Sequence, residues 1–335
     1  MVLGIYTQHH PLKWKIRGLS IAKFALEKIV MLLVYIPVTL QMASKIQRSR
    51  SHITKFFDRR ALMGQRVYTL MDLTKILEEQ RIAWNLRKVF YRKEFIEFLE
   101  SHCSLKCVVF ESEVLGSRTR YVWGEASQLE QALSLFSGCY LSHATAVFMH
   151  QLTEQIPRRI FINHEQSAKP APSTKLSQED ITRAFKSEAR KTRGIFTVGD
   201  QEIVALTGKQ TGNFEVGEVE SPAGQFLRCT KLERTLIDIT VRPHYGGGIY
   251  QVLKAYETAK DRVAVTVLIA TLKTLDFAYP YHQAIGFLME RAGYEEARTR
   301  RLLAFGLDFD FYLLHGMGDK VHYSEKWRLF YPAGF

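Results

Sequence analysis

The sequence predicts an α+β protein, with a small helix–helix–wing module ahead of a larger mixed α/β domain. Three observations lead there. The formal charge of +12 is concentrated at the front: residues 1–123 carry 21 Lys/Arg against 10 Asp/Glu, and the remaining 212 carry 25 against 24. Between Val67 and Trp123, two helical apolar patterns are followed by two alternating ones. Beyond Gly124, short β-branched runs give way to three long segments of helical spacing. A chain of 335 residues fits two domains, and 46% hydrophobic content is enough for sizeable cores. The expected division is an extension over 1–41, a winged helix-turn-helix over 42–124 and a mixed α/β domain over 125–335. A basic front half beside a neutral back half suits contact between the front and a polyanion, either nucleic acid or anionic lipid.

The first stretch fits no targeting class well. Lys13, Lys15, Arg17, Lys23 and Lys28 lead into IVMLLVYIPVTLQM, Ile29 to Met42. Its apolar core falls short of the roughly 20 residues a spanning helix needs, and Pro37 interrupts it. A signal peptide would want a small residue where Gln41 stands. The readings left are an anchor on a membrane surface and translation that begins at Met42, and the latter is preferred. From Ser44 to Arg60 the chain is strongly basic. Lys45, Arg48, Arg50, Lys55, Arg59 and Arg60 stand against Asp58 alone, which suits an arm on phosphates or a solvated helix end.

Thr69 with Asp72 reads as a helix cap, and Leu70, Leu73, Ile76 and Leu77 form an apolar stripe behind it. A second helix over Phe90 to Ser101 buries Phe95, Phe98 and Leu99. Arg87, Lys88, Arg92 and Lys93 stand at its start, where the recognition helix of this motif meets bases. Two strands, KCVVFES and RTRYVWG, flank a turn at Gly116 and make the wing. Arg118 and Arg120 fall on one strand face, placed for phosphate or the minor groove. The DNA-contact set is therefore Arg48, Arg50, Lys55, Arg87, Lys88, Arg92, Lys93, Arg118 and Arg120. The plainer alternative is a helical domain with an ordinary basic surface. Trp84, Tyr91, Tyr121 and Trp123 read as packing residues.

Beyond a hinge at Gly124, Ser127 caps a helix, and the next helix carries His143 and His150 on one face. A strand at Arg158 to Asn163 precedes a loop marked by Pro170, Pro172 and Ser173. Ser177 and Asp180 cap a helix to about Arg190. Four short strands fill 194–229. The stretch TKLERTLIDITVRPHYGGG, Thr230 to Gly248, reads as a buried amphipathic helix with a charged pair, ended by Pro243 and three glycines. A phosphate-binding glycine turn is the sharper alternative, but no Lys-Ser/Thr follows the glycines. Helical spacing recurs over Ile249 to Lys260, Val263 to Leu275 and Tyr281 to Ala292.

LERTLIDI with RP and a GG turn beyond it, YLSHATAVFMHQL (Tyr140 to Leu152) and YPYHQAIGFLMERAG (Tyr279 to Gly293) together resemble the AbiEi-type antitoxins of type IV toxin–antitoxin systems. The resemblance spans roughly Ser137 to Phe335. It implies a cytoplasmic DNA-binding repressor of its own operon, with operator DNA and a nucleotidyltransferase-like toxin as partners. No cofactor, no metal and no small-molecule substrate is implied. Ser142, His143, Glu233, Arg234 and Asp238 match the family's motifs in structural roles.

No nucleophile elbow, zincin, Walker or dinucleotide motif is present. Cys103, Cys107, Cys139 and Cys229 lack zinc spacing. The competing enzyme reading rests on LDFDFYLL, where Asp308 and Asp310 would share one face of a strand. Such a pair could serve a metal-dependent nuclease with Glu233 or Asp238 recruited. A protein-only interaction module is the third reading.

Overall fold

The computed structural model describes residues 46–168 and 176–335. The expectations for 1–41, for Lys45 and for the loop at Pro170 to Ser173 lie outside the described residues. The architecture is mixed α and β, with helices and three separate sheets. Among the described residues no helix is long and apolar enough to cross a membrane. The chain forms two compact units, one of 46–63 with 73–103, the other of 64–72 with 104–335.

The first unit is helical. Helix α1 (46–62) buries Ile46, Ser49, Ile53 and Phe57, a spacing that keeps them on one side. Helix α2 (Leu70–Gln80) buries Leu73, Ile76 and Leu77; Leu70, the expected first member of that stripe, is largely exposed. The reciprocal cap is present: Thr69 N donates to Asp72 Oδ2 at 2.8 Å, and Asp72 N to Thr69 Oγ1 at 3.1 Å. Helix α3 (Arg92–His102) buries Phe95, Phe98 and Leu99. Trp84 fills the space among these helices, with ring centroids 5.3 Å from Phe56 and 5.7 Å from Phe95. Tyr91, expected to pack, is exposed.

In the second unit, β1 (Val67–Tyr68), β2 (Leu105–Phe110) and β3 (Arg118–Trp123) form an antiparallel sheet in the order β1-β3-β2. The hairpin, with which the sequence reading ends the front module at Gly124, groups by its contacts with the second unit: Phe110 is buried in one cluster with Ile160, Ile162 and Ile203. Glu111 and Thr197 also exchange backbone hydrogen bonds of 3.0 and 2.8 Å.

Helix α4 (Gln128–Leu133), strand β4 (Tyr140–Leu141), helix α5 (His143–Met149), strand β5 (Arg159–Glu165) and helix α6 (Gln178–Lys186) follow. Ser127 makes a full capping box with Glu130, and the Ser177 side chain accepts from Asp180 N. Strands β6 (Ile195–Val198), β7 (Gln201–Gly208), β8 (Val216–Glu220) and β9 (Phe226–Thr230) complete a six-stranded mixed sheet in the order β6-β7-β5-β4-β9-β8. Alternation along β5 and β7 sorts its two faces. Ile160, Ile162, Ile203 and Ala205 join one cluster, and Phe161, Val204 and Leu206 join another with Tyr245.

Helix α7 (Leu232–Val241) leaves β9 after one residue and enters the largest core. Helices α8 (Ile249–Ala259), α9 (Val265–Leu275), α10 (Tyr281–Arg291) and α11 (Glu296–Leu303) and a small sheet of β10 (Phe311–Tyr312), β11 (Val321–Ser324) and β12 (Leu329–Pro332) complete it.

Candidate functional site

The basic surface of the first unit is ordered by sequence spacing. On α1, Arg48, His52, Lys55 and Arg59 recur every three or four residues and are all exposed, opposite the buried face. Arg50, also exposed, falls off this stripe and lies beside Cys103, whose thiol burial pushes up. The connection between α2 and α3 has no regular structure, yet Arg81 holds it. Its Nη1 donates to the carbonyls of Arg87 at 2.7 Å and Phe90 at 2.8 Å, while Nη2 donates to Glu78 at 2.7 Å. That clasp fixes the segment bearing Arg87 and Lys88. Lys88, Arg92 and Lys93 are exposed, and Lys93 lies 3.9 Å from Glu97 on the next turn. The described residues of this unit carry eleven Lys/Arg against six Asp/Glu, so its surface potential is positive.

The wing arginines correct the sequence reading. Arg118 and Arg120 do share a face, but that face is covered. Arg120 is buried and donates to the carbonyls of Ser134, Leu135 and Thr119 at 2.9, 3.1 and 2.7 Å. Arg118 donates to Leu135 O at 2.6 Å and lies over the Phe136 ring at 4.2 Å. Both satisfy the carbonyls at the end of α4, where cations are favoured. Burial lowers the Arg120 pKa, with Arg118 adding to it.

The buried motif of the second unit is a polar joint between sheet and helices. Thr230 ends β9; its Oγ1 lies 2.7 Å from Thr235 Oγ1, and Thr235 Oγ1 donates to Lys231 O at 2.9 Å. Arg234 Nε donates to Asp238 Oδ1 at 2.8 Å, and Nη1 donates to Phe214 O at 3.0 Å. Burial pushes the Asp238 carboxyl up against the pull of Arg234 and Arg242. Glu233, on another side of α7, accepts from Ala264 N at 2.8 Å, at the N-terminus of α9.

The histidines of α5 part company. His143 opens the helix in a left-handed conformation (φ 49°), with Nδ1 3.0 Å from Ser142 Oγ and its ring edge-on to Tyr245. Burial, then Arg242 and Arg234, hold it well below the usual histidine range and therefore neutral. His150 lies past the helix end. Its Nε2 donates to Thr230 O at 2.7 Å, since a carbonyl can only accept. The shared helix face that seven-residue spacing suggested is absent, because α5 ends at Met149.

Beside the Arg234–Asp238 pair lies a cavity of about 80 Å³, lined by His143, Asn163, Lys209 and Arg242 among others. Glu165 secures one wall, accepting from Thr211 N at 2.8 Å, from the Thr211 hydroxyl and from Asn213 N at 3.2 Å. Burial opposes its charge, but these donors outweigh that and lower its pKa. A Cβ on Gly208 would sit 2.7 Å from the Asn163 amide, so only glycine admits that approach.

The strand expected to carry the carboxylate pair of the enzyme reading is absent at these residues. Asp308 and Asp310 lie in the irregular segment before the two-residue β10, not on a strand. Asp310 accepts from Tyr323 Oη at 2.7 Å and Arg328 Nε at 2.9 Å, and those hydrogen bonds hold it below the usual carboxylate range. Glu233 and Asp238 are engaged elsewhere, as above. Among the described residues no three His, Cys, Asp or Glu side chains are placed to hold a metal ion.

No family model matches the sequence, and no curated protein matches it. Among solved structures, the chain is similar to the RV2827C protein from Mycobacterium tuberculosis, at 16% identity and a TM-score of 0.50 over 84% of this chain and 91% of that one. At this identity the likeness speaks for the fold alone.

Proposed function

We propose that the chain is a DNA-binding repressor of its own operon and an antitoxin that opposes a nucleotidyltransferase-like toxin. The observation that carries the DNA half is the exposed stripe Arg48, His52, Lys55 and Arg59 on α1, together with Arg92 and Lys93 at the start of α3. The element order β1-α2-α3-β2-β3, with an antiparallel three-stranded sheet, supports a winged helix-turn-helix in which α3 is the recognition helix. In this reading α1 tracks phosphates and α3 reads bases. Arg118 and Arg120 leave the proposed interface, since Arg120 is buried and both donate to carbonyls at the end of α4. The antitoxin half rests on the resemblance of the segments around LERTLIDI.

The test is a gel-shift salt titration of the full chain on DNA from upstream of its own gene. Each phosphate contact adds about −0.9 to the slope of log affinity against log salt. Lys55→Gln with Arg59→Gln is expected to flatten that slope by roughly 1–2 on every sequence. Arg92→Ala is expected to cost about 1–3 kcal/mol on the operator only, relaxing specificity. Binding without preference over unrelated DNA would sink autoregulation.

A further inference from the structure

A second positive region lies in the second unit, in a groove of about 1200 Å³ that shares Lys209, Val241 and Arg242 with the smaller cavity. Arg242 and His244 reach it from the turn after α7, Lys191 from the segment before β6, and Lys209 from the end of β7. Lys209 is fixed by donating to the carbonyls of Leu275 at 3.0 Å and Asp276 at 2.8 Å, which hold the ammonium without cancelling its charge. Among the described residues no carboxylate forms an ion pair with Lys191, Lys209 or Arg242. Asp180 lines the groove but is paired with Arg183, and Asp238 is taken by Arg234. Glu188 is the remaining acid on its wall and is exposed.

The second observation is independent of charge. His244 Nε2 is shielded from solvent and has no hydrogen-bond partner among the described residues. A shielded ring nitrogen is ordinarily paired, and this one belongs to a side chain on the groove wall. Three cations without counter-ions among the described residues and one unpartnered imidazole nitrogen in a concave site are the requirements of a polyatomic anion. Phosphate matches them best, because its oxygens can take a guanidinium fork, ammonium groups and an imidazole N–H together.

We propose that Arg242, Lys191, Lys209 and His244 form a binding site for a phosphate group, carried by a small ligand. Phe277 and Tyr279 lie on the same groove wall and offer stacking surface, so the phosphate can come from a nucleotide or from free inorganic phosphate. The groove's concavity and the shielded imidazole favour a small ligand over a duplex backbone. Burial, then Arg242 and Lys191, depress the His244 pKa to about 4. A bound dianion would oppose both cations and draw it back up.

The experiment is titration of the full chain with inorganic phosphate and, separately, with AMP in low-salt buffer. Binding is read by calorimetry and by the histidine ring signals in nitrogen-15 NMR. Saturable binding that moves the His244 signals is expected. Arg242→Gln, and independently Lys191→Gln in an exposed segment, should each weaken it at least tenfold while circular dichroism stays unchanged. Lys186→Gln on α6 should leave it intact. Tighter binding of AMP than of phosphate would assign the ligand as a nucleotide, and equal binding would assign the phosphate group alone. Absence of saturable binding by either probe, or undiminished binding in folded Arg242→Gln and Lys191→Gln, would overturn the site.

Discussion

The Arg234–Asp238 pair lends itself to a double-mutant cycle. Its atoms are 2.8 Å apart, with side-chain exposures of only 7% and 10%. Asp238→Leu removes the carboxylate and leaves a guanidinium in a place that water barely reaches. Breaking a buried pair from one side costs about 3–5 kcal/mol, a large part of the roughly 5–15 kcal/mol that stabilises a typical domain. Arg234→Met strands the carboxylate and also removes the donor to Phe214 O. The carboxyl, already pushed up by burial, can shed its charge by taking a proton, so this variant should recover partly as pH falls. Arg234→Met with Asp238→Leu places apolar groups on both sides. It should cost less than the sum of the singles by about 2–4 kcal/mol, leaving mainly the unmet Phe214 carbonyl at about 1–3 kcal/mol. The assay is urea unfolding followed by far-ultraviolet circular dichroism, comparing all four proteins. Strict additivity, or an Asp238→Leu cost below about 1 kcal/mol, would refute the account of this pair as a buried joint.

Gly286→Ala should destabilise by about 1–3 kcal/mol in thermal or urea unfolding, because a Cβ there would fall 2.1 Å from the Trp327 ring; a neutral or stabilising change would show that the helix-propensity gain wins. Arg120→Met should cost about 1–3 kcal/mol by leaving the Ser134 carbonyl unmet, Leu135 O keeping its bond from Arg118, yet leave the salt slope of DNA binding unchanged; a flatter slope with unchanged stability would return Arg120 to the interface. Acidification should weaken the fold before the depressed carboxylates titrate. His143, His150, His164, His244 and His282 are all depressed, chiefly by burial, so the unfolded chain takes up protons first. Their stabilisation is complete above the unfolded value of about 6.5 and is lost as pH falls through the folded values, about 4 for His244. The depressed carboxylates Glu130, Glu165 and Asp310 lose theirs only below about 4.5. Urea unfolding at pH 7.5 and pH 5.5 checks the sign, and equal or greater stability at pH 5.5 would refute it.

Local punctuation made the helices readable. Gly248 and Pro280 stand at the N-termini of α8 and α10, and both helices begin where the spacing put them. The capping pairs at Thr69, Ser127 and Ser177 were visible for the same reason: the donor and acceptor sit three residues apart. Strand order was not visible. The pairing of β4 with β9 joins Leu141 to Cys229 across the whole sheet domain, and no periodicity encodes it. The failures share one cause. A period of two places Arg118 and Arg120 on one face but does not say what covers that face, and here it is the end of α4. The same period in LDFDFYLL suggested a strand, yet Asp310 is fixed by Gln178, Tyr323 and Arg328, all distant in sequence. Arg81 was missed because its task is to hold backbone carbonyls, which leaves no mark in residue type or spacing.

The two cationic regions differ in how their charge is used. On α1 the cations lie on a solvated convex face, where a single charge contributes little unless a regular polyanion meets several at once. In the groove after α7 three cations converge on one concave wall beside a shielded imidazole nitrogen, so that a single small anion can meet them together. Helix α7 creates that contrast within the second unit. Its own pair, Arg234 and Asp238, is neutral and settles the joint between β9 and the helical core. Arg242, one turn beyond Asp238 and bonded to it through the backbone at 3.0 Å, has no such partner among the described residues. The motif that makes the fold thus leaves one guanidinium over at its end, and that surplus is what separates a structural helix from one that also presents a ligand site.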